Sequence, residues 1–382
     1  MIGKVNYSQC LTNFACSIRK YFGLEYHHQT LEEVDQLLEQ FQPEHVITIL
    51  CDGMGAHLLD RILPEDSFFR THKLKTISSV FPPTTVAALT AAATGLNPAE
   101  SGMLGWNMYY KELDEIISVF MNSRKGDSTY APVPKAVEYR KKHMKETSVV
   151  DEINEQGKGK AWFLIPFQPN PYRDLDHMLE IIEQKCLQKG RKYIFAYDIQ
   201  PDDVLHEKGC DSEEVKEILQ ERNDKIEALC RRLNNAMIFV IADHGHIDVQ
   251  NLDLDDYPDL LDCLSRDPSL EPRAVNFFVK EGRKKEFEVL FRRSFSEDFD
   301  LYSRKDVIAG CLFGDGPENE IFRDALGDYL AIAKTDKTLI SKGGKKHRSH
   351  HAGSTNDEIL VPLIVINRCL KGTEEKAKRL SL

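Results

Sequence analysis

Val46-Ile47-Thr48-Ile49-Leu50-Cys51-Asp52-Gly53-Met54-Gly55 begins as a short apolar run and closes on an acid followed by two glycines. A run of this length bounded by turn residues reads as a buried strand over 46–51. The glycines let the backbone turn tightly and leave the Asp52 carboxylate free to face a ligand. An Asp-Gly pair after a strand is usually just a turn, so this stretch alone settles nothing about chemistry. The same alternation of apolar runs and amphipathic stretches continues along the chain. Strands are expected at 160–165, 193–197, 237–242 and 360–366, and helices at 31–41, 85–94, 173–189 and 212–233. The last helix opens with Asp211 or Ser212 as a cap, followed by acids. This is the pattern of an α/β fold, a mainly parallel central sheet flanked by helices. In open sheets of that kind, ligands bind at the carboxyl ends of the strands.

One region breaks the rhythm. Residues 251–324 hold a strand-like run at 274–280, a charged helix at 284–293 and the turn Gly314-Asp315-Gly316-Pro317. They are expected to form a small inserted α+β cap on a core made of 1–250 and 325–382, with 328–334 returning to the core as a strand. The basic stretch 371–379 is expected as a solvated helix end.

The formal net charge of −11 argues against a nucleic-acid polymer as partner, because a phosphate backbone needs a basic surface to displace its counterions. A small phosphate ester is a different matter, since bound metal ions reverse the potential locally. The longest apolar runs, such as 236–242, are far too short to span a bilayer, so no membrane partner is expected. Met1 to Cys16 lacks a continuous apolar block of signal-peptide length. The nine cysteines are scattered without any close Cys-x-x-Cys pair, and they read as reduced thiols of a cytoplasmic protein. Nothing in the sequence fixes the oligomeric state.

Four further segments carry candidate chemistry. Phe81-Pro82-Pro83-Thr84-Thr85 precedes an Ala-rich helix ending at Gly95. The threonines read either as helix caps or as hydroxyls facing unpaired amides at the positive end of a helix, where phosphate binds readily. In Asp198-Ile199-Gln200-Pro201-Asp202-Asp203-Val204-Leu205-His206, Asp202 and His206 are four apart, so one helical turn puts both on the same face, as a shared metal ion requires. Asp243-His244-Gly245-His246 again sets Asp and His at a strand end, and His350-His351-Ala352-Gly353 sets histidines in a loop before the strand at 360–366. A single histidine is more often a solvated or core residue than a ligand. Five such segments, most of them beside strand ends, alter that balance.

Taken in this order, the motifs resemble the alkaline phosphatase superfamily and, within it, the type I phosphodiesterase and nucleotide pyrophosphatase branch, over about 46–366. The resemblance implies an alkaline phosphatase-like fold and roles at matching positions. Thr85, four residues after Phe81 and ten before Gly95, would be the nucleophile and also touch metal; Thr84 breaks both spacings. Asp202, His206 and His351 would hold one ion, and Asp52, Asp243 and His244 the other. His351 lies ten residues before Val361 of Val361-Pro362, which leaves His350 and His347 as spectators, with an off-by-one shift to His350 the alternative. Asn107 would donate to a phosphate oxygen, although Gly102-Met103-Leu104-Gly105-Trp106-Asn107 is one residue longer than the usual pattern.

The chemistry expected is metal-dependent hydrolysis of a phosphate ester, by a phosphodiesterase or nucleotide pyrophosphatase working through a phosphothreonine. Metal coordination makes a threonine alkoxide accessible. Mixed carboxylate and imidazole ligands suit two divalent ions, zinc first, with manganese or iron also fitting. No Arg or Lys lies beside Thr85 or Asn107 in sequence, which favours a diester or a pyrophosphate bond, such as those of nucleotides, over a monoester dianion. Trp106, Tyr109 and Tyr110 read as pocket walls for a flat group or as aromatic core. The rival readings are a phosphomonoesterase, phosphonate hydrolase or phosphosugar mutase on the same scaffold, an arylsulfatase-like enzyme lacking the expected Cys or Ser-x-Pro-x-Arg context, and a non-catalytic protein that binds phosphorylated ligands.

Overall fold

The computed structural model describes residues 4–167, 172–341 and 344–369. The basic stretch 371–379 lies outside them. Six strands form the central sheet: β1 (His45–Cys51), β2 (Lys73–Ser78), β3 (Lys160–Leu164), β4 (Lys192–Asp198), β5 (Ala236–Ile241) and β6 (Leu360–Asn367). Their order across the sheet is β2-β6-β5-β1-β4-β3. β3, β4, β1 and β5 are parallel neighbours, and only β6 runs against the common direction, antiparallel to both β5 and β2. Every residue of β1, β4 and β5 is buried, so both faces of the sheet are covered. The cover comes from helices: Leu11–Phe22 packs with Glu32–Phe41 and Thr85–Thr94, while Leu175–Cys186 packs with Glu213–Arg232. The mainly parallel α/β core is as expected. β2 was not expected, for a physical reason: Lys73-Leu74-Lys75-Thr76-Ile77-Ser78 is an edge strand that buries only its last two residues and carries the lysines typical of a protected edge.

A second, antiparallel sheet stands beside the first. It runs Phe299–Ser303, Tyr329–Ala333, Ala274–Phe277, Ser269–Glu271, Asn107–Tyr110, Glu115–Ser118 and Ser123–Arg124. Helix Lys284–Phe295 lays Phe287, Phe291 and Phe295 on this sheet against Phe277 and Phe299. The stretch 328–334 does form a strand, yet Tyr329–Ala333 joins this second sheet and not the core. Its two neighbours, Ala274–Phe277 and Phe299–Ser303, come from 251–324 and supply its hydrogen bonds. Asn107–Arg124, far upstream, extends the same sheet, so sheet membership runs past both ends of the 251–324 segment.

One buried ion pair ties the two sheets together at the site end. Arg273, in the turn between Ser269–Glu271 and Ala274–Phe277, grips Glu358 through Nε at 2.6 Å and a terminal guanidinium nitrogen at 2.8 Å, and both side chains are fully buried. Arg273 also donates to the carbonyls of Lys337 and Thr335 at 2.6 and 2.8 Å. Glu358 in turn accepts from the Gly353 amide and the Thr355 hydroxyl at 2.6 and 2.7 Å, which fixes the loop that follows His351. Replacing Arg273 by Met strands a buried carboxylate, and the expected loss is about 3–5 kcal/mol in a chemical denaturation curve. A loss below about 1 kcal/mol, the scale of an exposed pair, would show that this pair does not tie the sheets.

Candidate active site

Because β1, β4 and β5 are parallel, Asp52, Asp202 and Asp243 emerge on one edge of the sheet from the segments that follow them. Two glycines then let the loops touch. A Cβ on Gly55 would lie 2.6 Å from Gly245 Cα, and one on Gly245 would collide with the Asp357 carbonyl oxygen. Gly53 adopts a φ of 74°, and its amide donates to Asp243 Oδ1 at 3.1 Å, a contact shared with the His244 amide at 2.9 Å. The Asp202 amide donates to the Asp52 carbonyl at 3.1 Å. Close backbone approach, together with the bond from the Gly53 amide to the Asp243 carboxylate, thus brings three acids together.

The first group forms around Thr85. Thr84 is the N-cap residue of the Thr85–Thr94 helix, but its side chain makes no cap; its hydroxyl donates to Glu271 Oε1 at 2.7 Å. Thr85, one residue on, turns its hydroxyl 3.5 Å from Asp52 Oδ2 and 3.3 Å from His244 Nε2. His244 Nε2 also lies 3.3 Å from Asp52 Oδ1 and 3.4 Å from Asp243 Oδ2. Both of those oxygens are buried and accept no hydrogen bond.

The second group combines Asp202, His206, His246 and His351, whose ligand atoms all fall within 4.8 Å of one another. Helix Asp202–Lys208 sets His206 Nε2 3.5 Å from Asp202 Oδ1, the spacing that the four-residue separation predicts. The hydrogen bonds fix which nitrogen is free. His206 Nδ1 faces the Ser349 carbonyl at 2.9 Å, His351 Nδ1 the Pro83 carbonyl at 3.1 Å, and His244 Nδ1 the Gly245 carbonyl at 3.3 Å. A carbonyl only accepts, so each Nδ1 carries the proton and each Nε2 presents a lone pair. His350 is the reverse. In the shorter of its two backbone contacts its Nδ1 accepts the His351 amide at 2.9 Å, which leaves the proton on Nε2. The geometry therefore favours His351 over His350 for this group. His350 and His347, expected as spectators, do converge on His206 as a further group of imidazoles.

Electrostatics give these clusters their meaning. Burial, then the charges of Asp243 and Asp202, hold the Asp52 carboxyl well above the usual range; burial, then Asp243 and Asp203, do the same to Asp202. Burial pushes His206 down to about 3 and holds His246 and His351 well below their ordinary value, with His244 lowered as well. Acids that resist ionising beside imidazoles that resist protonation lack a positive charge, and oxygens without hydrogen bonds mark where one fits. A divalent cation suits this donor set.

The family model described as "Type I phosphodiesterase / nucleotide pyrophosphatase" matches residues 46–355. The chain belongs to this family. Solved structures agree on the fold: murine ectonucleotide pyrophosphatase / phosphodiesterase 5 superposes with a TM-score of 0.63 at 16% identity, covering 83% of this chain and 87% of that one. The human counterpart gives 0.64 at 16% identity over 85% and 91%. An inactive murine form in complex with AMP gives 0.62 at 16% identity over 83% and 87%. No curated protein sequence matches the chain significantly.

In this family member a cleft of about 510 Å³ opens onto Thr85, with Asn107, Trp106, Ser118, Lys125, Glu271, Lys345 and His351 in its walls. Asn107 uses Oδ1 to accept from the Ser118 hydroxyl at 2.8 Å, leaving its amide nitrogen for a ligand. Trp106 lines the cleft, but Tyr110 is core, stacked on Tyr139 with centroids 4.3 Å apart, and Tyr109 packs on Phe278. Two residues escaped the sequence reading. His246 sits with Nε2 2.6 Å from Asp202 Oδ1 and Nδ1 3.0 Å from the Ser349 hydroxyl, and its only signal was a second histidine two positions after His244. Glu271, buried and pushed up to about 7 by burial, accepts from Thr84 and from the Trp106 amide at 2.6 Å. The premise that no cation lies near Thr85 holds only along the sequence, because folding brings Lys125 and Lys345 into the same cleft. Gly245→Ala is expected to destabilise the fold by about 2–3 kcal/mol through overpacking at the loop contact, read as a lower denaturation midpoint. An unchanged midpoint would mean that the two loops are not held by backbone contact.

Proposed function

We propose that this chain hydrolyses phosphodiester or pyrophosphate bonds of small phosphate compounds, nucleotides among them, with Thr85 as the nucleophile at a two-metal site. The observation that carries this reading is the convergence of the Thr85 hydroxyl, His244 Nε2 and the unpaired oxygens of Asp52 and Asp243 within 3.3 to 3.5 Å contacts, beside the second cluster of Asp202, His206 and His351. Asp52, Asp243 and His244 would hold one divalent ion, and Asp202, His206 and His351 the other, with zinc the first choice for this donor set. Bound there, such ions supply charge neutralisation for the phosphate and ease ionisation of the hydroxyl.

The protein's own groups do the rest. Thr85 stands at the first turn of a ten-residue helix whose amino-terminal amides favour a phosphate oxygen. Its hydroxyl oxygen attacks phosphorus, the ester or anhydride oxygen leaves, and a phosphothreonine remains until water cleaves it. The Asn107 amide is free to donate to a phosphate oxygen, and Ser118 fixes its orientation. Glu271 anchors Thr84 and so sets the start of the helix. The cleft is in the size range of sites for nucleotide-sized ligands. AMP, found bound to the inactive murine relative, is also what cleavage of a nucleotide pyrophosphate bond would release.

Metal analysis of purified protein, with turnover of bis(p-nitrophenyl) phosphate and p-nitrophenyl phosphate, tests this reading. The expected results are two divalent ions per chain and faster cleavage of the diester. Thr85→Ala should retain both ions while turnover falls by at least about 1,000-fold. Undiminished activity in Thr85→Ala would remove the hydroxyl from its role. Chelation of wild-type protein should lower its melting temperature, with recovery on adding Zn2+, because a ligand bound only to the native state stabilises it; an unchanged melting temperature would count against metal in the cluster.

A further inference from the structure

The ligand set carried by the family resemblance stops at Asp202, His206 and His351 for one of the two ions, and His246 is not in it. The backbone nevertheless delivers His246 to the same point. Ile247–Asp248 and Ser349–His350 pair as a two-stranded antiparallel ladder, with Ile247 opposite His350. One step along that register His246 faces His351, and their ring centroids are 5.1 Å apart, with the His206 ring 4.8 Å away. Gly53, at a φ of 74°, closes over the imidazole: a Cβ there would lie 3.2 Å from its Cδ2 and Nε2. The ring is therefore buried and fixed in place before any ligand arrives.

A relay of hydrogen bonds decides which of its nitrogens is free. The Ser349 hydroxyl lies 2.7 Å from the Leu205 carbonyl, and because a carbonyl has no proton to give, the hydroxyl donates there. With its single proton so committed, Ser349 Oγ can only accept from His246 Nδ1 at 3.0 Å. The neutral imidazole then turns a lone pair on Nε2 toward Asp202 Oδ1, 2.6 Å away. Two acceptors at that distance repel unless a positive particle joins them. His206 Nε2, another lone pair, stands 3.5 Å from the same oxygen, and His351 completes a group whose ligand atoms all lie within 4.8 Å of one another. A proton can join one such pair, whereas a divalent cation can join all four donors. A purely structural hydrogen bond from His246 to Asp202 needs the opposite tautomer, which Ser349 disfavours. We propose that His246 is a fourth protein ligand, through Nε2, of the ion at Asp202, His206 and His351, so that one carboxylate and three imidazoles enclose it. This rests on the two-metal reading of the site. Four protein donors are the set of a firmly retained ion, where catalytic positions commonly keep three.

Zn2+ titration against a chromophoric chelator tests the assignment on wild type, His246→Asn and His246→Gln, without reference to turnover. Asn sets its amide near the former Nδ1 and keeps a donor for Ser349, while Gln sets an amide near the former Nε2 and can donate to Asp202 as a prop would. Wild type is expected to bind two ions. Both variants should hold one of them at least about 100-fold more weakly, past the range of about 10–100-fold for a partner that only hydrogen-bonds a ligand, with the other ion unaffected. Wild-type affinity at both positions in both variants overturns the ligand. So does a loss in His246→Asn that His246→Gln restores, the pattern of a hydrogen-bonding prop. A crystal structure of the Zn2+-loaded wild type needs no variant to fold: His246 Nε2 is expected about 2.0–2.1 Å from the ion beside Asp202, and a separation beyond about 3 Å contradicts the proposal. Two bound ions with His246 at that larger distance remove only this ligand, whereas fewer than two ions in wild type remove the two-metal reading and the ligand with it.

Discussion

Three carboxylates, the buried Asp52 and Asp243 and the half-buried Asp202, are brought side by side, and much of the site answers to that crowding. Their approach is set by backbone: Gly55 against Gly245, the Gly53 amide on Asp243, the Asp202 amide on the Asp52 carbonyl. Uncompensated, each buried carboxylate costs several kcal/mol, and neighbours of like charge add to it. The surrounding imidazoles do not relieve this by taking protons, because burial holds them neutral, with His206 pushed to about 3. Their Nδ1 protons are already committed to carbonyls of Ser349, Pro83 and Gly245, so what they offer inward is lone pairs. Carboxyl oxygens and neutral nitrogen donors around one helix start form a donor set that a divalent cation would suit.

The second sheet is part of that site and not a separate lid. Asn107, Ser118, Lys125 and Glu271 all sit on or beside its strands, and they face Thr85 across the cleft. Glu271 reaches over to hold Thr84, and Arg273 two residues later is locked to Glu358, which braces the loop carrying His350 and His351. The candidate reacting groups thus come from the parallel core, while part of the cleft wall comes from the antiparallel sheet.

Much of the core was legible in the sequence. The runs at 46–51, 193–197 and 237–242 are continuous and apolar because both their faces are covered, and the acids and histidines that follow them come together at one edge of the sheet. Asp202 and His206 announced a shared helical face, and the structure keeps it. What escaped was long-range. Lys73–Ser78 hid as a half-exposed edge strand, and Tyr329–Ala333 paired with the antiparallel sheet because strand partners are not written in a local pattern. His246 was quoted without a role because Asp202, its partner at 2.6 Å, lies 44 residues away. Lys125 and Glu271 met Thr85 only through folding, which is why an argument from sequence neighbours missed the cations in the cleft.

The central claim, that the crowded acids and imidazoles are a cradle for paired cations against the Thr85 hydroxyl, is tested most directly by anomalous X-ray diffraction at the zinc edge from crystals grown with Zn2+. The account predicts two strong peaks, one bounded by Asp52, Asp243 and His244 and one by Asp202, His206 and His351, both next to Thr85. Peaks confined to the His206, His347 and His350 cluster, or none within reach of Asp52 and Asp243, would contradict it.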